Sequence, residues 1–596
     1  MSPREPYQQA ALVARDWLDA RPECTRSRGR AENGKLSWDV QLPGEGAPVH
    51  HFRLVLPADF PATPCEIYVA PALCLGLPHV EETGRVCLSE SHQAEDYDRP
   101  VDAVCRVIAK FQSLLTDWNR PDWVQEEFQR ERLSYWGRHC QKQRKAVGGL
   151  PVPARSYVQA PRLERWTEGE VAAYVEPGAK GATPVLQVIG YSEPHALAQR
   201  HGWAAGTLVK GNVLYVRLPE DALWIPTSWP ETFFDLANLV DAGSGEADLL
   251  ISWLSRCGWT TGIEKVRSTR KGRKRLGDPH APRGLKPLLV VLVDGSAFYG
   301  YRLLPPTVSR MTSPSIAPFE LIRVDASWCL TRDHESERFA KRQSLKILVL
   351  GGGSLGSPVA DILARSGIGH IYIVDPETFD GPNTGRHSLG LCSIHRSKAI
   401  ALAERISKEV PGIFVKGHQV PASRFLMESY TSGDYDLVVD CTAEGAVRMF
   451  IANMREAVIG DISVLHAWVE PYCAAAHAVL TTRTCPWPAD DHAVSKIRAA
   501  DFSSAQHQVQ IPACGGGFHP YGAADIIQAA GFVAERILEV LDSNERNATV
   551  WSWVRAKAYF DSLPVPVRTT DIVPTSGSRS DAVHLTRRLT DVLSTG

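Results

Sequence analysis

Leu350-Gly351-Gly352-Gly353-Ser354-Leu355-Gly356 carries the pattern G-x-G-x-x-G, with Gly351, Gly353 and Gly356 at its glycine positions. The apolar run Lys346 to Leu350 ahead of it predicts a strand, and Ser357 to Ser366 behind it predicts a helix. That context gives the motif its meaning. Glycine lets the backbone turn sharply and approach a phosphate, and the helix start then offers unpaired N–H groups and a partial positive charge. His370 to Val374 predicts the next strand, and Asp375 at its end stands where a carboxylate takes ribose hydroxyls. The spacing predicts a nucleotide site at the carboxyl edge of a parallel sheet.

Outward from this motif, strand and helix keep alternating. Lys398 to Val410 predicts a helix, Tyr435 to Val439 a strand and Ala523 to Leu541 a long amphipathic helix. Residues 333–565 therefore read as a Rossmann-like α/β domain with a mainly parallel sheet. Residues 566–596, rich in Ser, Thr, Asp and Arg, read as a loosely held polar C-terminal tail. Residues 1–145 read as an α+β domain: a helix at Tyr7 to Leu18, strands at Gly34 to Leu42, His51 to Leu56 and Cys65 to Val69, and helices at Val101 to Leu115 and Trp123 to Trp136. Residues 146–332 mix short strands, such as Val213 to Leu218 and Leu288 to Val293, with Pro and Gly breaks, and read as an α+β spacer.

Composition narrows the function. The 596 residues are 44% hydrophobic and 22% charged, which is globular. Lys plus Arg is 65 against 67 Asp plus Glu, so a generally basic nucleic-acid binder is disfavoured. The nine cations between Lys265 and Lys286 read as a solvated loop, and no nucleic-acid partner is required. No apolar run is long enough for a membrane span, and no signal core follows Met1, so a cytoplasmic protein is expected. Thirteen scattered cysteines without a CxxC pair argue against a disulfide framework and against structural zinc. Free thiols with chemistry of their own are the expectation.

The motif alone does not choose between a dinucleotide and ATP. Asn383, Arg386 and Lys398 follow Asp375. A dehydrogenase has no need of two cations at the phosphates, whereas an enzyme that releases pyrophosphate does, because charge accumulates on the leaving group. Asp440, ending its strand, is placed to hold Mg²⁺.

Gly351 to Gly356, Asp375, Asn383, Arg386, Lys398 and Asp440 together resemble the adenylation domain of ubiquitin-activating enzymes and their bacterial ThiF/MoeB relatives. The resemblance implies ATP and Mg²⁺ as cofactors, with ribose on Asp375, triphosphate on Asn383, Arg386 and Lys398, and Mg²⁺ on Asp440. The family often has Gln after the arginine, where this chain has His387. Arg338 stands near where the family supplies an arginine from a second subunit, and a homodimer is implied. Many members pass the activated acyl group to their own cysteine, a good nucleophile and leaving group. Cys514, before the last long helix, is the candidate, with Cys485 as runner-up; Cys392 and Cys441 read as packing thiols.

Phe60-Pro61, Pro64 and Gly84-Arg85-Val86-Cys87-Leu88 resemble the ubiquitin-conjugating fold, in which the cysteine carries an acyl group as thioester. The family has asparagine eight residues before this cysteine; this chain has His79, able to donate a hydrogen bond or to take a proton from an amine. The order of conjugating domain, spacer and adenylation domain resembles the fused proteins of bacterial antiphage (CBASS) operons. That resemblance implies activation of a partner's C-terminal glycine and its ligation to an amine on a target, priming a cyclic-nucleotide synthase. A sulfur-carrier adenylyltransferase and an NAD-dependent oxidoreductase remain as alternatives.

Overall fold

The computed structural model describes residues 5–27, 36–42, 49–88, 98–146, 153, 155–176, 184–258, 286–304, 314–331, 336–502, 509–510, 517–543 and 546–594. The chain divides into two compact units. One holds Met1–Ala198 and Ala204–Arg323, the other Gln199–Trp203 and Val324–Gly596.

The first unit opens with helix α1 (Glu5–Asp19) and an antiparallel sheet in the order β1 (Cys24–Arg26), β2 (Leu36–Gln41), β3 (His51–Leu56), β4 (Glu66–Tyr68). In β3, Phe52, Leu54 and Leu56 point to the core while His51 and Arg53 face solvent, the alternation of a sheet packed on one face. Helix α2 (Pro100–Trp118) closes that core with Val104, Val107 and Phe111.

The stretch Trp123 to Trp136, read as one helix, is two: α3 (Pro121–Arg130) and α4 (Arg132–Ala146), parted at Glu131, whose φ of −104° and ψ of 24° leave the helical region. Their apolar sides belong to a different core. Phe128, Tyr135, Trp136 and Cys140 pack with Leu214, Trp224, Trp229, Tyr299 and Tyr301. The Trp136 ring centroid lies 5.3 to 5.5 Å from those of Trp224, Trp229, Tyr299 and Tyr301, separations at which aromatic pairs attract beyond simple burial.

The second sheet of this unit has eight strands: β5 (Arg155–Val158), β6 (Trp166–Val175), β7 (Leu186–Gly190), β8 (Thr207–Arg217), β9 (Leu288–Asp294), β10 (Ala297–Leu304), β11 (Ser315–Phe319) and β12 (Ile322–Arg323). Their order is β11-β10-β9-β8-β6-β7-β5-β12. Helices α5 (Phe233–Ser244) and α6 (Leu249–Arg256) cover one face.

The second unit is a doubly covered α/β sheet. Strands β13 (Lys346–Leu350), β14 (His370–Val374), β15 (Phe414–His418), β16 (Leu437–Asp440) and β17 (Val464–Val469) run parallel. β18 (Ala475–Thr481), β19 (Thr549–Arg555) and β20 (Ala582–Arg588) continue it antiparallel. The order is β15-β14-β13-β16-β17-β18-β19-β20. Central β13 is apolar on both sides, with Ile347, Leu348, Val349 and Leu350 all fully buried, as a strand covered on both faces requires.

Helices α8 (Gly356–Arg365), α9 (Lys398–Glu409) and α12 (Ala523–Asp542) pack on one face; α10 (Ala422–Glu428) and α11 (Gly445–Asn453) pack on the other. Helix α7 (Ser336–Ser344) precedes β13 and is tied to the end of α12 by the Arg342–Asp542 ion pair.

Over its described residues, to 594, the segment read as a loose tail is packed. β20 pairs with β19 along its whole length, from Ala582 opposite Arg555 to Arg588 opposite Thr549. Leu589 and Val592 are buried beyond it. Polar composition here marks an edge strand with one wet face. Among the described residues, no helix is long and apolar enough to cross a membrane.

Candidate functional site

The glycine loop follows β13 and delivers the chain into α8. Gly351 has φ of 87°, and a Cβ there would lie 2.9 Å from the Thr442 nitrogen. A Cβ on Gly356 would lie 1.9 Å from the Gly351 carbonyl oxygen. These two glycines are required by close backbone approach. Gly353 differs, because a Cβ there would meet nothing within 4 Å. It faces the cavity.

The Gly352 peptide is held from both sides. Asp375 Oδ2 accepts from its N–H at 2.8 Å, and His387 Nε2 donates to its carbonyl at 2.6 Å. His387 Nδ1 accepts from the Leu389 N–H at 3.0 Å, which fixes the proton on Nε2. Burial pushes the His387 pKa down to about 4, so the ring stays neutral. Burial pushes the Asp375 carboxyl up; the N–H groups of Glu377 and Gly352 and the Lys398 charge work against that shift. The sequence-predicted Asp375 thus lies at the glycine loop, and the His387 substitution has a structural task.

The cavity beside this loop measures about 490 Å³ and is lined by Gly351, Gly353, Asp375, Thr442, Val447 and Phe450, among others. Its wall combines backbone glycines and the carboxylates Asp375, Glu377 and Glu444 with the apolar Ala422, Val447 and Phe450. That combination suits a nucleoside phosphate.

Lys398 is nearly buried at the start of α9 and forms an ion pair with Glu377. Arg386 donates to the His519 carbonyl at 2.9 Å and lies 5.0 Å from the Tyr521 ring centroid. Tyr521 in turn meets Ser354 of the glycine loop at 2.8 Å. Asn383 caps its own turn, its Oδ1 accepting from the Asp380 N–H at 3.0 Å.

Asp440, the sequence candidate for Mg²⁺, is held by hydrogen bonds within the fold in this structure. It is 1% exposed, as is proper for the buried end of β16. Oδ1 accepts from the Thr442 N–H at 3.1 Å and its hydroxyl at 2.6 Å, and Oδ2 meets His466 Nδ1 at 2.9 Å. Burial raises its pKa, but the hydrogen bonds from His466 and Thr442 outweigh burial and hold it below the ordinary value. The carboxylate stands at the strand end where the sequence expects it, and Thr442 and His466 orient it there. The acidic side chains that line the cavity are Asp375, Glu377 and Glu444.

Cys87 lies exposed in the first unit, at the end of a loop held by its backbone. Its N–H donates to the His79 carbonyl at 2.8 Å. The His79 N–H donates to Tyr135 Oη at 3.0 Å, Trp118 Nε1 donates to the Pro78 carbonyl at 3.1 Å, and Arg138 Nη1 donates to the Val80 carbonyl at 3.0 Å. The His79 ring faces α3: Nε2 is 3.0 Å from Glu127 and Nδ1 is 4.0 Å from Glu131. Tyr135 and Arg138 sit on α4, whose apolar side is part of the second core. The region read as a spacer therefore supports the Cys87 loop through that helix.

Cys514 and residues 265–285 of the basic run lie outside the described residues. Cys485 is half-buried, and burial raises its pKa. Cys441 is buried, as a packing thiol should be, whereas Cys392 is exposed. Arg338 is exposed on α7. Sequence reading missed Glu377, Thr442, Phe450, Tyr521 and Tyr135. For Glu377 a signal existed in its place two residues after Asp375; the others are brought in by the fold.

Residues 331–547 match the ThiF family. The adenylyltransferase and sulfurtransferase UBA4 of Yarrowia lipolytica is 38% identical over 125 residues, 21% of this chain and 31% of that protein. The ATP-dependent ubiquitin transferase-like protein Cap2 of Vibrio cholerae serotype O1 is 24% identical over 248 residues, 39% of this chain and 41% of that protein. Cap2 of Enterobacter hormaechei is 29% identical over 135 residues, 21% of this chain and 22% of that protein. The chain thus spans less than half the length of these relatives. Residues 331–547 of the second unit are thus similar to the ThiF family, in a chain similar to Cap2 ubiquitin transferase-like proteins.

Proposed function

We propose that the chain is an ATP-dependent activating and conjugating enzyme for a partner protein with a C-terminal glycine. The observation that carries this reading is the presence, in one chain, of the glycine-loop cavity with Asp375 and Lys398 and of the exposed, backbone-held Cys87. The similarity to Cap2 and UBA4 supports it.

In the first step the partner's carboxylate attacks the α-phosphorus of ATP, an acyl-adenylate forms and pyrophosphate leaves. Asp375 takes the ribose, and Asn383, Arg386 and Lys398 take the phosphates. Arg386 gives up the His519 carbonyl to do so. The Cys514 thiolate then attacks the acyl carbon and AMP leaves. Cys87 attacks that thioester and frees the Cys514 thiol. Finally an amine of the target attacks the Cys87 thioester, an amide forms, and the thiol is released. His79 acts by positioning, since its ring nitrogens face Glu127 and Glu131 and its carbonyl holds the Cys87 N–H. The donor is a cyclic-oligonucleotide synthase, and the chain works as a homodimer in the cytoplasm, with Mg²⁺ arriving on ATP.

The test is to co-express the chain with proteins encoded beside it and to record intact mass with and without ATP. The expected result is an ATP-dependent gain equal to a neighbour minus water, kept as an ester in Cys87→Ser and lost from that site in Cys87→Ala. AMP release with no adduct on Cys87 refutes the conjugating half and favours a sulfur-carrier adenylyltransferase.

A further inference from the structure

The Lys398 ammonium is only 8% exposed, while the Glu377 carboxylate that pairs with it is 67% exposed. The two are held in register by their backbones. The Lys398 N–H donates to the Glu377 carbonyl at 3.0 Å, and Thr378 and Ser397 form an isolated bridge beside them. The Glu377 N–H donates to Asp375 Oδ1 at 2.8 Å, so its backbone is fixed to the glycine loop's own anchor. Only the Glu377 side chain has room to move. It also lines the nucleotide cavity.

A nearly buried ammonium keeps a negative partner, because an unpaired buried charge is costly. A polyphosphate arriving at the glycine loop needs the same ammonium. It carries more charge than one carboxylate and is held at the same time by backbone N–H groups of the loop. Glu377, mostly in water already, loses little solvation by swinging out.

We propose that Glu377 is a displaceable counter-ion that competes with the phosphate chain for Lys398. It lowers, by one common factor, the affinity of every ligand that displaces it from Lys398. Glu377 therefore sets how tightly a phosphate-bearing ligand is held relative to the bare nucleoside. This rests on reading the cavity as a nucleotide site.

The experiment is calorimetric titration of the full chain and of Glu377→Gln with ATP, AMP and adenosine. Removing an exposed competitor should tighten ATP about threefold and leave adenosine unchanged. AMP should gain by no more than ATP does, because the counter-ion costs every ligand that displaces it the same factor. Glu377→Asp, one methylene short of Lys398, should move in the same direction. ATP binding that is unchanged or weaker in Glu377→Gln overturns the proposal. Weakening seen only with Mg²⁺ present also overturns it, because Glu377 then serves a cation. A wild-type chain that binds no ATP overturns the nucleotide reading, and this inference with it.

Discussion

Replacing Asp440 separates a structural carboxylate from a metal ligand. The side chain accepts from the Thr442 N–H, the Thr442 hydroxyl and His466 Nδ1, at 3.1, 2.6 and 2.9 Å. Asp440 and His466 are essentially inaccessible. Asp440→Ala leaves the buried His466 donor without an acceptor, at about 1–3 kcal/mol, and turns the half-buried Thr442 donors to the cavity. The sum comes near ~3 kcal/mol, the lower end of what breaking a buried pair costs. For a unit of this size that lowers the melting temperature by about 10 °C. Asp440→Asn is milder. Its Oδ1 still serves Thr442, and its amide faces His466, which changes tautomer to accept; Nε2, already without a partner, then carries the proton. That variant should cost roughly 1–2 kcal/mol. The assay is calorimetry of the full chain, read at the transition of the second unit, beside ATP–pyrophosphate exchange titrated with Mg²⁺. Wild-type melting in both variants, with exchange restored by excess Mg²⁺, would refute the structural role and return Asp440 to the metal.

The glycines of the loop should separate in a similar way. Gly356→Ala, whose Cβ would fall 1.9 Å from the Gly351 oxygen, should unfold the loop and lower the melting temperature. Gly353→Ala should melt like the wild type and lose ATP affinity, because its Cβ enters open cavity space. His387 gives a pH dependence. Its folded pKa is pushed down to about 4 from 6.5, so between those values the unfolded chain binds more protons. Stability is then fully present above about pH 6.5 and falls as pH drops towards 4; urea unfolding of His387→Gln across that window should show a flatter slope.

Where the sequence was legible, it was so because one physical requirement dominated. Ile347–Leu350 and Ile371–Val374 are apolar runs, each led by one polar residue, and they lie in the strands Lys346–Leu350 and His370–Val374. The glycine motif was readable because backbone approach admits no other residue at 351 and 356. The antiparallel half of the second sheet was not readable. Ala475 to Thr481 is alanine-rich and shows no alternation, since both faces are buried. Ala582 to Arg588 has the polarity of a tail because it is an edge strand. Asp440 shows the limit for site residues. Its place at a strand end was correct, but which donors surround it depends on His466, one strand over, and no local pattern carries that. Tyr135 and Tyr521 were invisible for the same reason.

His79 stands where the conjugating fold that this region resembles has asparagine, and the backbone there suits both residues. His79 has φ of 64°, in the left-handed region. Asparagine, aspartate and histidine are the side-chain-bearing residues that occupy it most readily. Both halves of the local backbone are in use, the N–H on Tyr135 and the carbonyl on the Cys87 N–H. Any replacement must first keep that conformation, and histidine does. The ring then adds what the shorter amide lacks, which is reach to Glu127 on α3. An asparagine would leave that carboxylate, 4% exposed, leaning on Arg130. The histidine and the buried glutamate therefore belong together. Their pairing fixes the loop to the helix that borders the second core, so the Cys87 thiol is presented by a frame built from both parts of the first unit.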